Sequence, residues 1–187
     1  MLKRILAGLS LLLLGAGLGI FLYVQGPHLP QRSEYTLPPQ NLMVFSERLH
    51  SSGQPNAEQL AALSAAGYDL VINLAPPDVI GAVAEEARLV TAAGAAYVNI
   101  PVAWEQPRYT DFTLFSALLR NAGERRVLVH CQANMRASVF VFLYRVIHEQ
   151  ADPDTAYDDV LSLWVPDVQW SAFIRETLAR HGIEFTP

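Results

Sequence analysis

The sequence predicts an α/β domain with a mostly parallel central sheet flanked by helices, preceded by one N-terminal transmembrane helix. Three observations support this prediction. Short apolar runs alternate with helical segments through residues 41–130, which is the pattern of a parallel sheet covered on both faces. Beyond residue 150 the pattern is helical only. Residues 5–24 contain no charged side chain, and such a stretch is long enough to cross ~30 Å of hydrocarbon as a helix.

Residues 1–25 are predicted to anchor the chain in a membrane. Lys3 and Arg4 precede the apolar stretch, so the positive-inside rule predicts a cytoplasmic N-terminus and a domain on the extracytoplasmic side. A cleaved signal peptide, giving a secreted form, is the alternative, because small residues at 15–19 could supply a cleavage site. The apolar run continues through Tyr23, which favours the uncleaved anchor.

The remaining chain is predicted to contain a linker and one domain. Residues 26–40 include four prolines and few apolar side chains, so they are expected to form an extended, Pro-rich linker. Residues 41–187 are predicted to form one globular domain. A formal net charge of −5 argues against nucleic acid as a partner. The chain has one cysteine, so no disulfide within the chain is expected. Its histidines do not show the spacing of metal ligands, and neither a metal nor another cofactor is predicted.

Local signals define the predicted elements of the domain. Asn56 followed by Gln59 is the pattern of a capping box, glycine closes each of the first two helices, and Pro153 fits a first helical turn. Asp111 is predicted to be an N-cap. The predicted elements, in order, are strand 42–45, an extended piece 48–51, a turn 51–55, helix 56–66, strand 69–74, helix 82–93, strand 97–102, helix 111–121, strand 127–130, helix 139–147, a helix from 153 and helix 167–180.

The only cysteine, Cys131, lies between the strand 127–130 and the helix that follows. Backbone N–H groups and the helix dipole favour anions at such a place, and they favour thiolate over thiol. Arg136 adds a planar, permanently charged fork for an oxyanion. The strands ending near residues 74, 102 and 130 should share one edge, where ligands bind in open α/β sheets. The sequence therefore predicts an anion site at this edge, walled by Trp104.

His130-Cys131-x4-Arg136-x-Ser138, with residues 52–55 reading Ser-Gly-Gln-Pro, resembles the cysteine-dependent protein tyrosine/dual-specificity phosphatase superfamily. The similarity extends over residues 41–184. It is greatest to the small bacterial branch often called tyrosine-phosphatase-like or beta-lactamase-hydrolase-like phosphatases. The large phosphatases have Cys-x5-Arg, whereas this chain has Cys-x4-Arg. The resemblance implies hydrolysis of a phosphorylated protein or a small phosphomonoester through a phosphocysteine intermediate.

The resemblance also implies the catalytic residues. Cys131 would be the nucleophile, and Arg136 would bind the phosphoryl group. Ser138 would steady the thiolate and help phosphocysteine to break down. The general acid is expected on the loop 103–111, where Glu105 directly follows a strand end.

The loop after the strand would bind the substrate. His130 would orient this loop through hydrogen bonds, and loop amides would bind the phosphoryl oxygens. Asn134 stands where many relatives have glycine, and asparagine tolerates positive φ well. The implied substrate-binding residues are His130, Gln132, Ala133, Asn134 and Met135.

Two other functions remain open at this point. A rhodanese-like sulfur carrier would use Cys131 to hold a persulfide, because single-domain rhodaneses have a similarly short loop between cysteine and arginine. A catalytically weak or inactive module would keep the anion site without a working general acid. If Glu105 is only a solvated loop carboxylate and not the general acid, the inactive anion-binding module is favoured.

Overall fold

A computed structural model describes residues 38–187. The predicted anchor, residues 1–25, and most of the predicted linker lie outside the described residues. In the part of the chain that the structure describes, no helix combines the length and apolar character needed to cross a membrane.

Five strands and six helices make up the described domain. The strands are β1 (Met43–Val44), β2 (Leu49–Ser52), β3 (Leu70–Asn73), β4 (Ala96–Asn99) and β5 (Val127–His130). The helices are α1 (Ala57–Ala62), α2 (Glu86–Ala92), α3 (Tyr109–Arg120), α4 (Met135–His148), α5 (Pro153–Leu161) and α6 (Val168–Ala179).

The strands form a single mixed sheet in the order β1-β2-β5-β3-β4. Only β1 is antiparallel to its neighbour, and the other four strands run parallel. Ser52, Asn73 and His130 are in register, so β2, β3 and β5 end at the same level. The predicted α/β class with a mostly parallel sheet is confirmed, and β5 lies at its centre.

Alternating side chains of β3 and β5 point into two separate apolar cores. Leu70, Ile72, Val127 and Val129 belong to the larger core, whereas Val71 and Leu128 belong to the smaller one. The smaller core contains Leu60 of α1 and Val90 of α2. The larger core contains buried residues of α3 to α6. Helices therefore cover both faces of the sheet, as parallel strands require.

Helix α4 is the central helix of the larger core. Phe140 is fully buried, with its ring centroid 5.5 Å from that of Phe115 and 5.7 Å from that of Phe173. Aromatic pairs at such distances add packing energy beyond the burial of apolar area. The N-terminus of α4 is consequently held in a fixed position behind β5. This position matters because Cys131 lies between the two elements.

Several predicted boundaries were wrong. Ser52, predicted as part of a turn, belongs to β2 because its backbone pairs with β5, whereas Ser51 also lay in the predicted extended piece 48–51. Helix α2 begins at Glu86 rather than residue 82, and α1 and β4 are shorter than predicted. Helix α4 begins at Met135 rather than residue 139, because Asn134 adopts φ 70° and turns the chain directly into the helix.

Asp111 is not the N-cap that the sequence predicted. Helix α3 begins at Tyr109, with the extended backbone of Arg108 at the N-cap, and Asp111 lies within the first turn. Both carboxylate oxygens of Asp111 accept hydrogen bonds from the Arg108 guanidinium, at 2.9 and 3.1 Å. An aspartate in the first turn complements the helix dipole without capping a backbone N–H.

Candidate active site

Cys131 lies at the end of β5 and on the wall of an open pocket of about 300 Å³. Cys131 is almost completely buried. The loop that follows turns from the central strand into α4 within four residues. The pocket is lined by Trp104, Cys131, Gln132, Ala133, Met135 and Arg136.

Residues that line this pocket have backbone N–H groups without a protein acceptor in the described part of the chain. Within residues 38–187, the N–H groups of Gln132, Ala133, Met135 and Arg136 donate to no protein acceptor. The first turn of α4 has no side-chain cap and no acidic residue to occupy these donors. Free N–H groups at a helix N-terminus, together with the helix dipole, make a site for an anion.

Arg136 supplies the permanent positive charge of the pocket. It is 6% exposed, and within the described domain it forms no ion pair with a carboxylate. Its Nε atom is buried without a hydrogen-bond partner there. The guanidinium carbon lies 5.2 Å from the ring centroid of Trp104, in cation–π contact. The guanidinium is thus held in place while its polar atoms keep their capacity to bind an oxyanion.

Asn134 fixes the conformation of the loop. Its φ of 70° is the positive value expected for a residue that replaces glycine. Its side-chain amide donates to the carbonyl of Asn41 at 2.7 Å, and the side chain of Asn41 donates to the carbonyl of Ala133 at 3.0 Å. These two bonds connect the loop to the segment that leads into β1.

Gly53 and Gln54 hold the loop from the other side. The N–H of Gln54 donates to the carbonyl of Gln132 at 3.0 Å. A Cβ atom on Gly53 would lie 3.1 Å from the carbonyl oxygen of Gln132 and 3.3 Å from the Cα of Ala133. The backbone after β2 therefore approaches the anion loop as closely as glycine allows. This contact gives the Ser-Gly-Gln-Pro segment a structural role at the site.

Trp104 forms the apolar wall that the sequence predicted. Its ring lies 5.2 Å from that of Trp164 and 5.3 Å from that of Trp170, centroid to centroid. The indole N–H of the fully buried Trp170 donates to the carbonyl of Trp104 at 3.1 Å. The C-terminal helices thereby position one wall of the pocket, with Trp170 anchored in the core.

A buried carboxylate lies behind the loop. Glu86, at the start of α2, is 6% exposed, and its Oε1 lies 2.8 Å from Nε2 of the fully buried His130. These two atoms are within ion-pair distance, but the geometry at Nε2 of His130 does not meet the criteria of a hydrogen bond. Gln54 donates to Oε1 at 3.2 Å, and Asn73 donates to Oε2 at 3.0 Å.

Tyr97 completes this group. Its hydroxyl lies 3.5 Å from Oε2 of Glu86 and accepts from Asn73 at 3.2 Å. Burial, with a further contribution from the Glu86 carboxylate, raises the pKa of Tyr97 to about 12. The tyrosine is therefore a neutral donor to the carboxylate at any ordinary pH. No local sequence pattern marks Glu86, Asn73 or Tyr97, because only folding brings them to His130.

The structure brings most of the predicted site residues together. The side chain of Ser138 is buried, and its hydroxyl donates to the carbonyl of Met135 at 2.9 Å. His130, at the end of β5, and Asn134, the last residue of the loop, are buried and do not line the pocket. Glu105 is exposed on the loop after Trp104 and does not line the pocket. Their functional roles remain predictions.

Known proteins are similar to this chain in sequence and in fold. No family model matches the sequence. The crystal structure of a DUF442 protein from Shewanella putrefaciens CN-32, provisionally assigned as a phosphatase, is 36% identical. The match covers 78% of this chain and 95% of that one, with a TM-score of 0.71. TpbA of P. aeruginosa shares the fold at 22% identity and a TM-score of 0.61, over 76% of this chain and 88% of that one.

Curated relatives match over a shorter stretch. Beta-lactamase hydrolase-like proteins from two strains of Xylella fastidiosa are 36% identical over 110 residues. The match covers 57% of this chain and 25% of each relative, so the chain matches about a quarter of their length.

A mostly parallel sheet whose central strand is followed by a cysteine, an amide loop and an arginine defines a cysteine-dependent tyrosine/dual-specificity phosphatase-like protein. The sequence resemblance to this superfamily and to its small bacterial branch is confirmed. The chain belongs to the DUF442 family of phosphatase-like proteins.

Gly53→Ala should distort the anion loop, because the new methyl group would press on backbone atoms that cannot rotate away. We expect orthovanadate to bind the full chain about 10-fold more weakly, measured by calorimetry. Gly182→Ala is the matched control, since Gly182 has φ 72° with open space around it. It should lower the free energy of unfolding by about 1 kcal/mol and leave vanadate binding unchanged. Equal vanadate affinity in both variants would contradict the role given to Gly53.

Proposed function

We propose that this protein is a phosphomonoester hydrolase that acts through a phosphocysteine intermediate on Cys131. The observation that carries the proposal is the convergence on one pocket of Cys131, an unpaired Arg136 guanidinium and backbone N–H groups without acceptors. A dianionic phosphoryl group needs such a set of donors. The relatives assigned to the phosphatases support the same chemistry.

The reaction follows from these positions. The Cys131 thiolate attacks phosphorus, an S–P bond forms, and the bond from phosphorus to the leaving oxygen breaks. The leaving oxygen takes a proton from a general acid. Water then attacks the phosphocysteine, which releases inorganic phosphate and restores the thiolate. Arg136 and the loop amides hold the phosphoryl oxygens throughout, so the charge that develops on them is stabilised by groups already in place.

The pocket suggests the substrate class. Trp104 and Met135 provide an apolar wall beside the anion site, and the pocket is open to solvent. We propose an aryl phosphate, as in a phosphotyrosine protein or a small phosphomonoester, because an aromatic ring could pack against the indole. Glu105 is proposed as the general acid, supplied by movement of the exposed loop that follows Trp104.

A non-catalytic anion-binding module is the second candidate. The exposure of Glu105 outside the pocket favours it, since no carboxylate among the described residues lines the pocket. Such a module would bind phosphate or vanadate but release no product. A sulfur carrier would instead form thiocyanate from thiosulfate and cyanide.

Cys131→Ser should reduce phosphate release from p-nitrophenyl phosphate by at least about 1,000-fold, because a serine hydroxyl is a far weaker nucleophile than a thiolate. Arg136→Lys should reduce it by about 100-fold, since lysine cannot form the bidentate contact. Arg120→Lys, an exposed matched control at the end of α3, should leave the rate unchanged.

The full chain should also be assayed with thiosulfate and cyanide. Phosphate release that survives Cys131→Ser would contradict the proposed mechanism. Thiocyanate formation without phosphate release would favour the sulfur carrier. Vanadate binding with neither product would favour the non-catalytic module.

Glu105→Gln should slow hydrolysis of phenyl phosphate by about 100-fold and that of p-nitrophenyl phosphate by less than about 3-fold, because only the poorer leaving group needs a proton. Glu124→Gln, at a side chain 95% exposed, is the matched control. Steady-state rates for the two esters give the ratio directly. An unchanged ratio in Glu105→Gln would remove Glu105 as the general acid.

A further inference from the structure

We propose that Glu86 is a positioning residue for the nucleophile, acting through His130, which directly precedes Cys131. The inference rests on the proposed role of Cys131 as a thiolate. Glu86 touches neither the pocket nor a substrate, so its contribution is made through the imidazole. It holds that ring in one orientation beneath the anion loop.

Burying the carboxyl group of Glu86 is costly. Taking such a group out of water costs several kcal/mol unless a basic partner and hydrogen bonds compensate. His130 is the only basic side chain within ion-pair distance of Glu86 in residues 38–187. The contact between Glu86 and His130 therefore fixes both side chains beneath the anion loop.

Four side chains that can carry charge are buried together around the loop. Cys131, His130, Arg136 and Glu86 are all at least 94% buried. Tyr97 is the other titratable group among the described residues that contacts Glu86, and it stays neutral. Removing the carboxylate of Glu86 takes away the group that holds the imidazole of His130 at 2.8 Å, so the residue directly before the nucleophile loses its fixed position.

The contacts of Glu86 come from several parts of the domain. Groups that donate to the carboxylate come from three different segments: Asn73 at the end of β3, Tyr97 on β4, and Gln54 after β2. Gln54 also donates its backbone N–H to the carbonyl of Gln132 in the anion loop. Glu86 is thus held rigidly, and it transmits that rigidity to both His130 and the loop.

Glu86→Gln in the full chain tests the proposal. The variant keeps the shape of the side chain and removes its charge. Because the chain has one cysteine, the reaction of iodoacetamide followed by intact mass reports on Cys131 alone. We expect the midpoint of the alkylation rate against pH to move upward by about one pH unit. At pH 6, kcat for p-nitrophenyl phosphate should fall at least 10-fold with KM within 3-fold.

Glu85→Gln is the matched control, since this neighbouring glutamate is 65% exposed and pairs with Arg88 on the surface. It should match the unsubstituted protein in both measurements. In a His130→Gln background, Glu86→Gln should change the alkylation midpoint by less than 0.3 pH units and kcat by less than about 2-fold, because the imidazole through which it acts is gone. Circular dichroism checks the folding of each variant. If Glu86→Gln is unfolded, Glu86→Asp replaces it: the shorter side chain draws the carboxylate back from His130, so the alkylation midpoint should again move upward, and an unchanged midpoint would overturn the proposal.

The outcomes separate this proposal from the proposed function. An unchanged alkylation midpoint in a folded Glu86→Gln protein would overturn the role of Glu86, even if the enzyme hydrolyses phosphate. An effect of Glu86→Gln that persists in full in the His130→Gln background would also overturn it. A shifted midpoint in a protein that hydrolyses no phosphate would support the role of Glu86 and reject the phosphatase.

Discussion

The turn from β5 into α4 is the constraint on which the site depends. Only four residues connect His130 to Met135, and the backbone must leave several N–H groups unpaired while it reverses direction. A loop of this kind is costly unless an anion or water satisfies those donors. The fixed positions of the central strand and of the buried helix keep the loop from relaxing. An anion site is the physical consequence.

The surrounding structure supports this loop from three sides. Gly53 brings the backbone after β2 into close contact, and Asn41 exchanges hydrogen bonds with the loop from the segment before β1. Trp104 contacts the arginine from the third side, where the packing of Trp170 fixes its carbonyl. These supports come from residues distant in sequence. The surrounding fold therefore serves here mainly to immobilise the loop between β5 and α4.

The sequence predicted the parts of the site that lie close together along the chain. Cys131, Arg136 and the loop between them form one continuous segment, so strand and helix periodicity placed them correctly at the sheet edge. The buried Glu86 was not predicted, because a glutamate near a helix start is usually solvent-exposed. Its partners are distributed over several elements, and only the sheet register brings Asn73 beside His130. The start of α4 was misplaced for a local reason, the positive φ of Asn134.

Trapping the covalent intermediate tests the central claim most directly. The full chain is mixed with p-nitrophenyl phosphate, quenched in acid during turnover, and digested for peptide mass spectrometry. The account predicts a phosphoryl group on the peptide that contains Cys131, bound through sulfur, and no such adduct in Cys131→Ser. Turnover with Cys131 unmodified at every quench time, or a phosphoryl group on another residue, would contradict it.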